Sequence, residues 1–187
     1  VSPMCAVSRL VKAKDPEAVT VFIGPCVAKK QEAAEGKEGT ADFALTYGEI
    51  RAILKAKNVE LQTEENQEQQ ASVYGKRFAN AGGVTKAVLR CMEEMGQPTD
   101  KLQVMECNGA ADCKKALMLL RVGKLNETII EGMACEGGCV NGPAKISDVR
   151  ESVGMRRQLM LSVDDRSIAD NLEMSDFKEI DMKDGRN

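Results

Sequence analysis

Two cysteines four residues apart, with two glycines between them, are the first feature of this sequence that could do chemistry. Cys135 and Cys139 lie in EGMACEGGCVNGPAK, residues 131–145, directly after an apolar run. Glycine lets the backbone approach a bulky inorganic group and lets its N–H groups point at sulfide or thiolate sulfurs. The loop therefore predicts metal ligation. A C-x-x-x-C spacing alone is not specific, and a glycine-rich turn with two incidental cysteines is the alternative.

A third cysteine lies beside charged residues in GPCVAKKQE, residues 24–32. A lone cysteine after a strand, such as Cys26, is usually a small buried hydrophobe. Lys29 and Glu32 change that balance, because an ammonium three residues beyond the thiol could neutralise a bound anion or favour the thiolate. Cys26 is therefore a second candidate ligand, with Lys29 as its neighbouring cation.

The residue counts narrow the chemistry of any metal site. The 187 residues include seven cysteines and no histidine. An odd cysteine count without a secretory signal favours reduced thiols or metal ligands over disulfides. The lack of histidine excludes His-containing zinc sites, His-ligated haem and His-based catalytic pairs. Sulfur is the expected donor, and we expect core packing for the remaining cysteines, at positions 5, 91, 107 and 113.

Charge and hydropathy limit the possible partners and the cellular location. The formal net charge of -3 offers no basic face for nucleic acid and no polybasic stretch for an anionic membrane. No apolar stretch approaches the roughly 18 to 20 residues that span a bilayer. We expect no nucleic-acid partner, no membrane association and a cytoplasmic location. The chain begins Val-Ser-Pro and enters a helical pattern at once, so we expect part of a longer protein.

Strands and helices alternate along the chain. Helices are predicted at 3–15, after a capping Thr46, and at 83–95, 110–123 and 144–161. A buried strand is predicted at 18–24, and further strands are predicted at 42–46, 101–107 and 127–133. This order predicts an α/β fold with mainly parallel sheets flanked by helices, in which ligands collect at the carboxyl ends of strands. The candidate ligands fall at such ends. The polar stretch 62–72 is expected to be a solvated loop.

Three stretches together resemble the catalytic domain of the iron-only (FeFe) hydrogenases. PCVAKKQE is similar to that family's P-C-x-x-K-x-x-E motif. EGMACEGGCVNG is similar, nearly letter for letter, to E-x-M-A-C-x-G-G-C-x-x-G, and FANAGGV is similar to the phenylalanine-led glycine segment between them. The match runs from residue 1 to about 145 in the family's order. It predicts a domain portion over 1–161, followed by a charged tail over 162–187 that packs on it or is partly mobile.

The resemblance implies an H-cluster, in which a 4Fe-4S cube joins a diiron unit that carries carbon monoxide and cyanide. Cys26 and Cys135 would bind the cube, and the thiolate of Cys139 would bridge the cube to the diiron unit. The usual first motif, T-S-C-C-P-x-W, has no counterpart here. It supplies the cube's fourth ligand and a proton-relaying cysteine, so we expect the isolated chain to lack the H-cluster and to be inactive.

The resemblance also implies a set of side chains around the diiron unit. Lys29 would pair with one cyanide, Ser2 and the backbone N–H of Pro3 would hold the other, and Met133 and Phe78 would line the pocket. Cyanide is an anionic hydrogen-bond acceptor, so a buried ammonium and fixed donors suit it. Lys29 and Met133 would lie closest to the reaction.

Two further departures from the family pattern affect the same pocket. Gly24 stands where a methionine usually precedes P-C-x-x-K, and Met4 stands where many catalytic members have glutamine. Cys5 lies inside the following helix and is not expected to replace the missing ligand. These changes suggest a divergent branch, tuned for hydrogen sensing instead of turnover.

We therefore expect the carboxyl-terminal portion of an iron-only hydrogenase catalytic domain. The whole protein would interconvert protons and molecular hydrogen, with electrons from a carrier such as ferredoxin. Two alternatives stay open. One is a hydrogen-sensing regulatory protein that signals through an attached domain, and the other is a hydrogenase-like iron-sulfur assembly protein without a diiron unit.

Overall fold

Two parallel strand pairs organise the protein, one in each of two units. The computed structural model describes residues 1–61, 72–126, 129–148, 150–151, 154–155, 166–170 and 177–183. Unit 1 contains the described residues of 1–63, 143–146 and 173–187, and unit 2 contains those of 64–142 and 147–172. Each strand pair is joined by a helical crossover, as parallel strands require.

Unit 1 is built on a short strand–helix–strand motif. Its elements are α1 (Pro3–Lys14), β1 (Val21–Ile23), α2 (Ala28–Ala34), β2 (Phe43–Leu45) and α3 (Tyr47–Ala56). The strands pair in parallel from Val21 opposite Phe43 to Ile23 opposite Leu45. The connecting helix α2 packs against β2. Cys26 lies in this crossover, directly after the carboxyl end of β1.

The helix starts of unit 1 follow the predicted chemistry. Ser2 caps α1, its Oγ accepting from the N–H of Cys5 at 3.3 Å. Thr46 and Glu49 form a reciprocal capping box at the start of α3, which satisfies two otherwise unpaired donors.

The tail also contacts this unit, because Arg9 donates to the carbonyl of Lys183 at 3.0 Å.

One face of the β1–β2 pair carries exposed apolar side chains. Val21, Ile23 and Phe43 are 45%, 44% and 59% exposed. The prediction of a buried strand at 18–24 is therefore wrong for this face of unit 1 as described. The physical reason is that a two-stranded sheet has few neighbours, and α2 contacts the pair through β2.

Unit 2 contains the longer strand pair. Its elements are α4 (Val73–Arg77), α5 (Gly83–Glu94), β3 (Val104–Asn108), α6 (Ala110–Arg121), β4 (Ile129–Met133) and a 3-10 turn (Cys139–Asn141). Five residue pairs connect β3 and β4 in parallel. Helix α6 packs on both strands and α5 contacts β4. Cys107 and Ala116, each 1% exposed, lie in the core of this unit.

The α/β class with parallel strand pairs and flanking helices is confirmed, as are the cysteine loops at strand carboxyl ends. Helices α2 and α4 were not predicted. The helix predicted from 144 is wrong at its start, because residues 144–148 form turns and coil, although 150–151 and 154–155 are helical. Helical residues therefore appear only after the turn at Pro143 and the coil that follows it. Most of the predicted polar loop, 62–71, lies outside the described residues.

No helix within the described ranges is both long enough and apolar enough to cross a bilayer.

Candidate metal centre

The predicted cysteine loop leaves the carboxyl end of β4, and its backbone requires glycine. Gly137 and Gly138 have φ of 78° and 104°, which side-chain-bearing residues rarely adopt. The N–H of Gly138 donates to the carbonyl of Cys135 at 3.0 Å, which closes a tight turn. Cys135 is half-buried and Cys139 is exposed. One short loop thus carries two thiols of different accessibility.

The cysteine loop is docked on the segment around Ala79. The N–H of Cys139 donates to the carbonyl of Ala79 at 2.8 Å. A Cβ at Gly138 would lie 2.2 Å from that carbonyl oxygen and 2.7 Å from Cα of Asn80. Close approach at Gly138 is therefore to protein backbone, where the sequence had suggested approach to an inorganic group. Gly137 has no atom within 4 Å of its Cβ position.

Met133 and Cys139 are brought together as the resemblance implied. The Cys139 Sγ lies 3.8 Å from the Met133 Sδ. The neighbouring β3 holds this arrangement, because the Asn108 Oδ1 accepts from the N–H of Gly137 at 2.6 Å. Phe78 immediately precedes the docked Ala79, so it lies in the segment that contacts the cysteine loop.

In unit 1, Cys26 is half-buried between β1 and α2. The departure at Gly24 has a structural counterpart there. A Cβ at position 24 would lie 2.8 Å from Cζ of Phe22. The Phe22 ring therefore occupies the space into which a methionine side chain at position 24 would begin to project.

The two side chains implied to hold cyanide meet on one carboxylate. Lys29 forms an ion pair with Glu32, and the Ser2 hydroxyl donates to the other oxygen of Glu32. Both charged side chains are about three-quarters buried. The role implied for Pro3 as a backbone donor is wrong on covalent grounds, because the peptide nitrogen of proline carries no hydrogen.

The other cysteines divide into two groups. Cys5 and Cys107 are buried, while Cys91 and Cys113 are half-buried. Burial is the main cause that raises the pKa of the Cys107 thiol, and neighbouring Cys113 and Asp112 add to it. A thiol held protonated is a poor metal ligand, because the thiolate is the ligating form. The core interpretation of Cys5 and Cys107 agrees with their burial.

The donor chemistry of the motif cysteines fits an iron-sulfur group, since thiolates are the usual ligands of such clusters. Cys26 belongs to unit 1, whereas Cys135 and Cys139 belong to unit 2. Within the described residues of the chain, no group of three or more Cys, Asp or Glu side chains could hold a metal ion. Each unit presents part of the predicted ligand set, and its convergence on one cluster stays a prediction.

Sequence reasoning missed the residues that hold the cysteine loop in place. Asn108 and the carbonyl of Ala79 bond its backbone, and Glu131 bonds the start of α5. Glu131 is the first residue of the EGMAC motif, and its structural role could have been found because a carboxylate within the apolar strand IIEGM must be paired if buried. The backbone contact at Ala79 leaves no such signal, since any residue can supply a carbonyl.

Comparisons with known proteins agree with these motifs. The family model for the C-terminal domain of the iron only hydrogenase large subunit matches residues 1–143. Iron hydrogenase 1 of Clostridium pasteurianum is 28% identical over 167 residues, covering 68% of this chain and 29% of that protein. A probable cytosolic Fe-S cluster assembly factor of Brugia malayi is 24% identical over an alignment of 221 residues, covering 95% of this chain and 49% of that protein. The chain spans less than half the length of these curated relatives.

Solved structures show the same fold. An FeFe-hydrogenase variant from Chlamydomonas reinhardtii matches with a TM-score of 0.61, 18% identity, and coverage of 92% of this chain and 62% of that one. HydA(deltaEFG), described as revealing stepwise FeFe-hydrogenase H-cluster assembly, matches with a TM-score of 0.56, 18% identity, and coverage of 90% and 59%. Because the family model spans most of the chain, this protein belongs to the family defined by the C-terminal domain of the iron-only hydrogenase large subunit.

Proposed function

We propose that this chain is the carboxyl-terminal part of an iron-only hydrogenase catalytic domain, over residues 1–161, with residues 162–187 as a C-terminal tail. The full-length protein reversibly reduces protons to molecular hydrogen, in the cytoplasm, with electrons from a carrier such as ferredoxin. The observation that carries this proposal is the cysteine loop after β4, where Cys139 lies against Met133 and its N–H is fixed on Ala79.

The proposed ligands divide between the two units. Cys26 and Cys135 would hold the 4Fe-4S cube, and Cys139, the more exposed thiol of its loop, would be the ligand shared with the diiron unit. When bound, the H-cluster supplies the electron transfer and the hydrogen chemistry. The chain supplies ligation, a fixed geometry and exclusion of water. The isolated chain lacks a fourth cube ligand from the usual first motif and is expected to be inactive.

Glu32 sets the electrostatics of the proposed anion-holding side. Its two oxygens receive Lys29 and Ser2, so both donors are oriented from one carboxylate. An ammonium has three donors, and the bond to Glu32 leaves donors for a cyanide ligand. Lys29 thus neutralises and orients one cyanide. The Ser2 hydroxyl has a single hydrogen, which Glu32 receives here, so Ser2 can hold the other cyanide only by exchanging that bond. Met133 and Phe78 would supply apolar contacts to the diiron unit.

A second candidate is an iron-sulfur assembly protein of the same family that carries no diiron unit. The relative described as a probable cytosolic Fe-S cluster assembly factor aligns with 95% of this chain, a larger share than the Clostridium hydrogenase covers. The Phe22 ring beside Gly24 also favours it, because a protein without a diiron unit does not need the methionine sulfur at that position.

Serine substitutions in the matured full-length protein test the ligand roles. Cys139→Ser should remove the iron of the diiron unit and leave much of the cube's iron, because this thiolate alone bridges them. Cys26→Ser and Cys135→Ser should each remove iron of both parts. Cys91→Ser, in α5 and outside the motifs, is the matched control. Iron analysis combined with electron paramagnetic resonance checks these outcomes, and equal iron loss in all three motif variants would contradict the bridging role.

A further inference from the structure

A buried carboxylate lies two residues before Met133 and four before Cys135. Glu131, in the centre of β4, is only 7% exposed. Its Oε1 accepts from the N–H of Gly82 at 3.0 Å, and its Oε2 accepts from the N–H of Thr85 at 2.8 Å. A buried carboxylate is costly unless it is paired, and here both oxygens have partners.

The two donors are at the start of α5, where backbone N–H groups have no partner within the helix. Gly82, with φ of 77°, occupies the N-cap position of the helix. Because glycine has no side chain, it offers no side-chain acceptor to the first N–H groups of the helix. Glu131, which lies on the neighbouring strand β4, supplies the acceptor instead. The positive end of the helix dipole favours a negative group at this place, which adds to the two hydrogen bonds.

The segment that Glu131 holds is the one on which the cysteine loop is docked. Ala79 accepts from the N–H of Cys139, and only three residues later Gly82 donates to Glu131. The chain from β4 to the cysteine loop therefore makes hydrogen bonds to the segment that contains Phe78 at two points, through Glu131 and through the N–H of Cys139. Loss of Glu131 leaves the buried N–H groups of Gly82 and Thr85 without this acceptor, which is unfavourable.

We propose that Glu131 is a positioning residue, which fixes the segment 78–85 against the cysteine loop and so sets where Phe78 and the thiolates stand. Its role toward a cofactor rests on the proposed function, whereas the coupling of the two segments is a property of this chain alone. The carboxylate is needed because each oxygen serves one donor. An amide offers only one acceptor oxygen, and its NH₂ group would face the second N–H.

Two matched controls lie beside Glu131. Glu106 is its partner in the β3–β4 register and also approaches Gly82, but Glu106 is exposed. Glu106→Gln therefore removes a negative charge at the same helix end without removing a buried acceptor. The Thr85 hydroxyl is buried and has no hydrogen-bond partner among the described residues, while the Thr85 N–H serves Glu131. Thr85→Val keeps that N–H.

Amide hydrogen exchange of the purified chain tests the proposal. Glu131→Gln should accelerate exchange at Gly82 and Thr85 about tenfold or more, since each of these N–H groups loses a hydrogen bond to a charged acceptor. The amide of Cys139 should follow, whereas Cys107 in the core of the same unit should change much less. Glu106→Gln and Thr85→Val should leave all four amides within about twofold of the parent, well short of the tenfold change that one lost interaction of 1.4 kcal/mol causes.

Uniform acceleration that includes Cys107 would overturn the proposal, because it would mean simple loss of stability. Unchanged exchange at Cys139 would overturn it too. If Glu131→Gln does not fold, Glu131→Asp keeps the charge but is one methylene too short to span both donors, and it should show the same pattern more weakly. Parental exchange in that variant would also refute the role. Iron binding is measured separately on the matured full-length protein, so failure of the proposed function would appear as an iron-free full-length protein with the exchange pattern of the chain intact.

Discussion

The two strand pairs of this protein each deliver a cysteine-bearing loop from a carboxyl end, but they support it differently. The β1–β2 pair has three residues in each strand and exposes Val21, Ile23 and Phe43. The β3–β4 pair has five, with α6 packed on both strands and a core that includes Cys107. The difference teaches that one topology can place a cysteine-bearing loop either on a well-packed sheet or on a marginal one.

The two units also differ in what holds their elements together. In unit 2, the buried Glu131 carboxylate joins β4 with α5, and a backbone bond to Ala79 holds the cysteine loop. In unit 1, polar bonds at the surface join α1 with both strands, and Asp42 is their centre. Its carboxylate receives Lys12 at 2.7 Å and the N–H of Thr20 at 2.7 Å. Such exposed interactions depend on pH and salt, whereas buried contacts depend on shape.

The largest effect is expected from filling the contact under the cysteine loop. Gly138→Ala should destabilise unit 2 by about 2 to 5 kcal/mol, because it combines a backbone conformation that strongly favours glycine with a clash against the carbonyl of Ala79. Gly137→Ala is the matched control on the same loop. It meets open space, so only the backbone cost of about 1 to 2 kcal/mol applies. Chemical denaturation measures both, and equal losses would contradict the docking of the loop.

A pH-dependent effect is expected in unit 1. The hydrogen bond from Lys12, followed by that from the Thr20 N–H, lowers the pKa of Asp42 from 3.8 to about 2. A carboxyl with a lowered folded-state pKa stabilises the fold above its unfolded-state pKa and loses that contribution as the pH falls through the folded-state value. The free-energy difference between the parent and Asp42→Asn should therefore disappear as the pH falls from about 4 to about 2.

Denaturation at a series of pH values measures that difference. Lys12→Met provides the companion variant, because it removes the largest cause of the lowered pKa of Asp42. Its acid unfolding transition should therefore lie at a higher pH than that of the parent. A difference between parent and Asp42→Asn that stays constant down to the lowest pH would refute the role of Asp42.

The smallest effect on stability is expected on the exposed face of β1 and β2. Phe43→Thr should change the free energy of unfolding by less than about 0.5 kcal/mol, because the ring is largely exposed and threonine suits a strand. Ile129→Thr, at the first position of β4 and half-buried, should cost about 1 to 2 kcal/mol. Equal costs would remove the distinction between the two pairs.

Much of this architecture could be predicted from local sequence patterns. The parallel α/β arrangement followed from alternating apolar runs and helical periodicity. The position of Thr46 before a periodic segment indicated the start of α3. Helix α2 was missed because it contains no buried residue, so no apolar stripe marks it. Helix α4 has only five residues, too few for a periodic signal.

The candidate site was predictable in its residue types but not in its supports. Motif similarity placed Met133 directly before the loop of Cys135 and Cys139, and the structure brings Met133 and Cys139 together. The docking of Gly138 on Ala79 joins residues about sixty positions apart through backbone atoms, which carry no mark in the sequence. Tertiary contacts of this kind depend on the whole packing of unit 2.

Infrared spectroscopy of the matured, iron-loaded full-length protein tests the central claim most directly. If Cys26, Cys135 and Cys139 hold an H-cluster, the spectrum contains bands of metal-bound carbon monoxide and cyanide, and these bands are lost in Cys139→Ser while cube iron remains. A protein that binds iron and sulfide through the same cysteines but shows no such bands would contradict the hydrogenase assignment and favour the iron-sulfur assembly role.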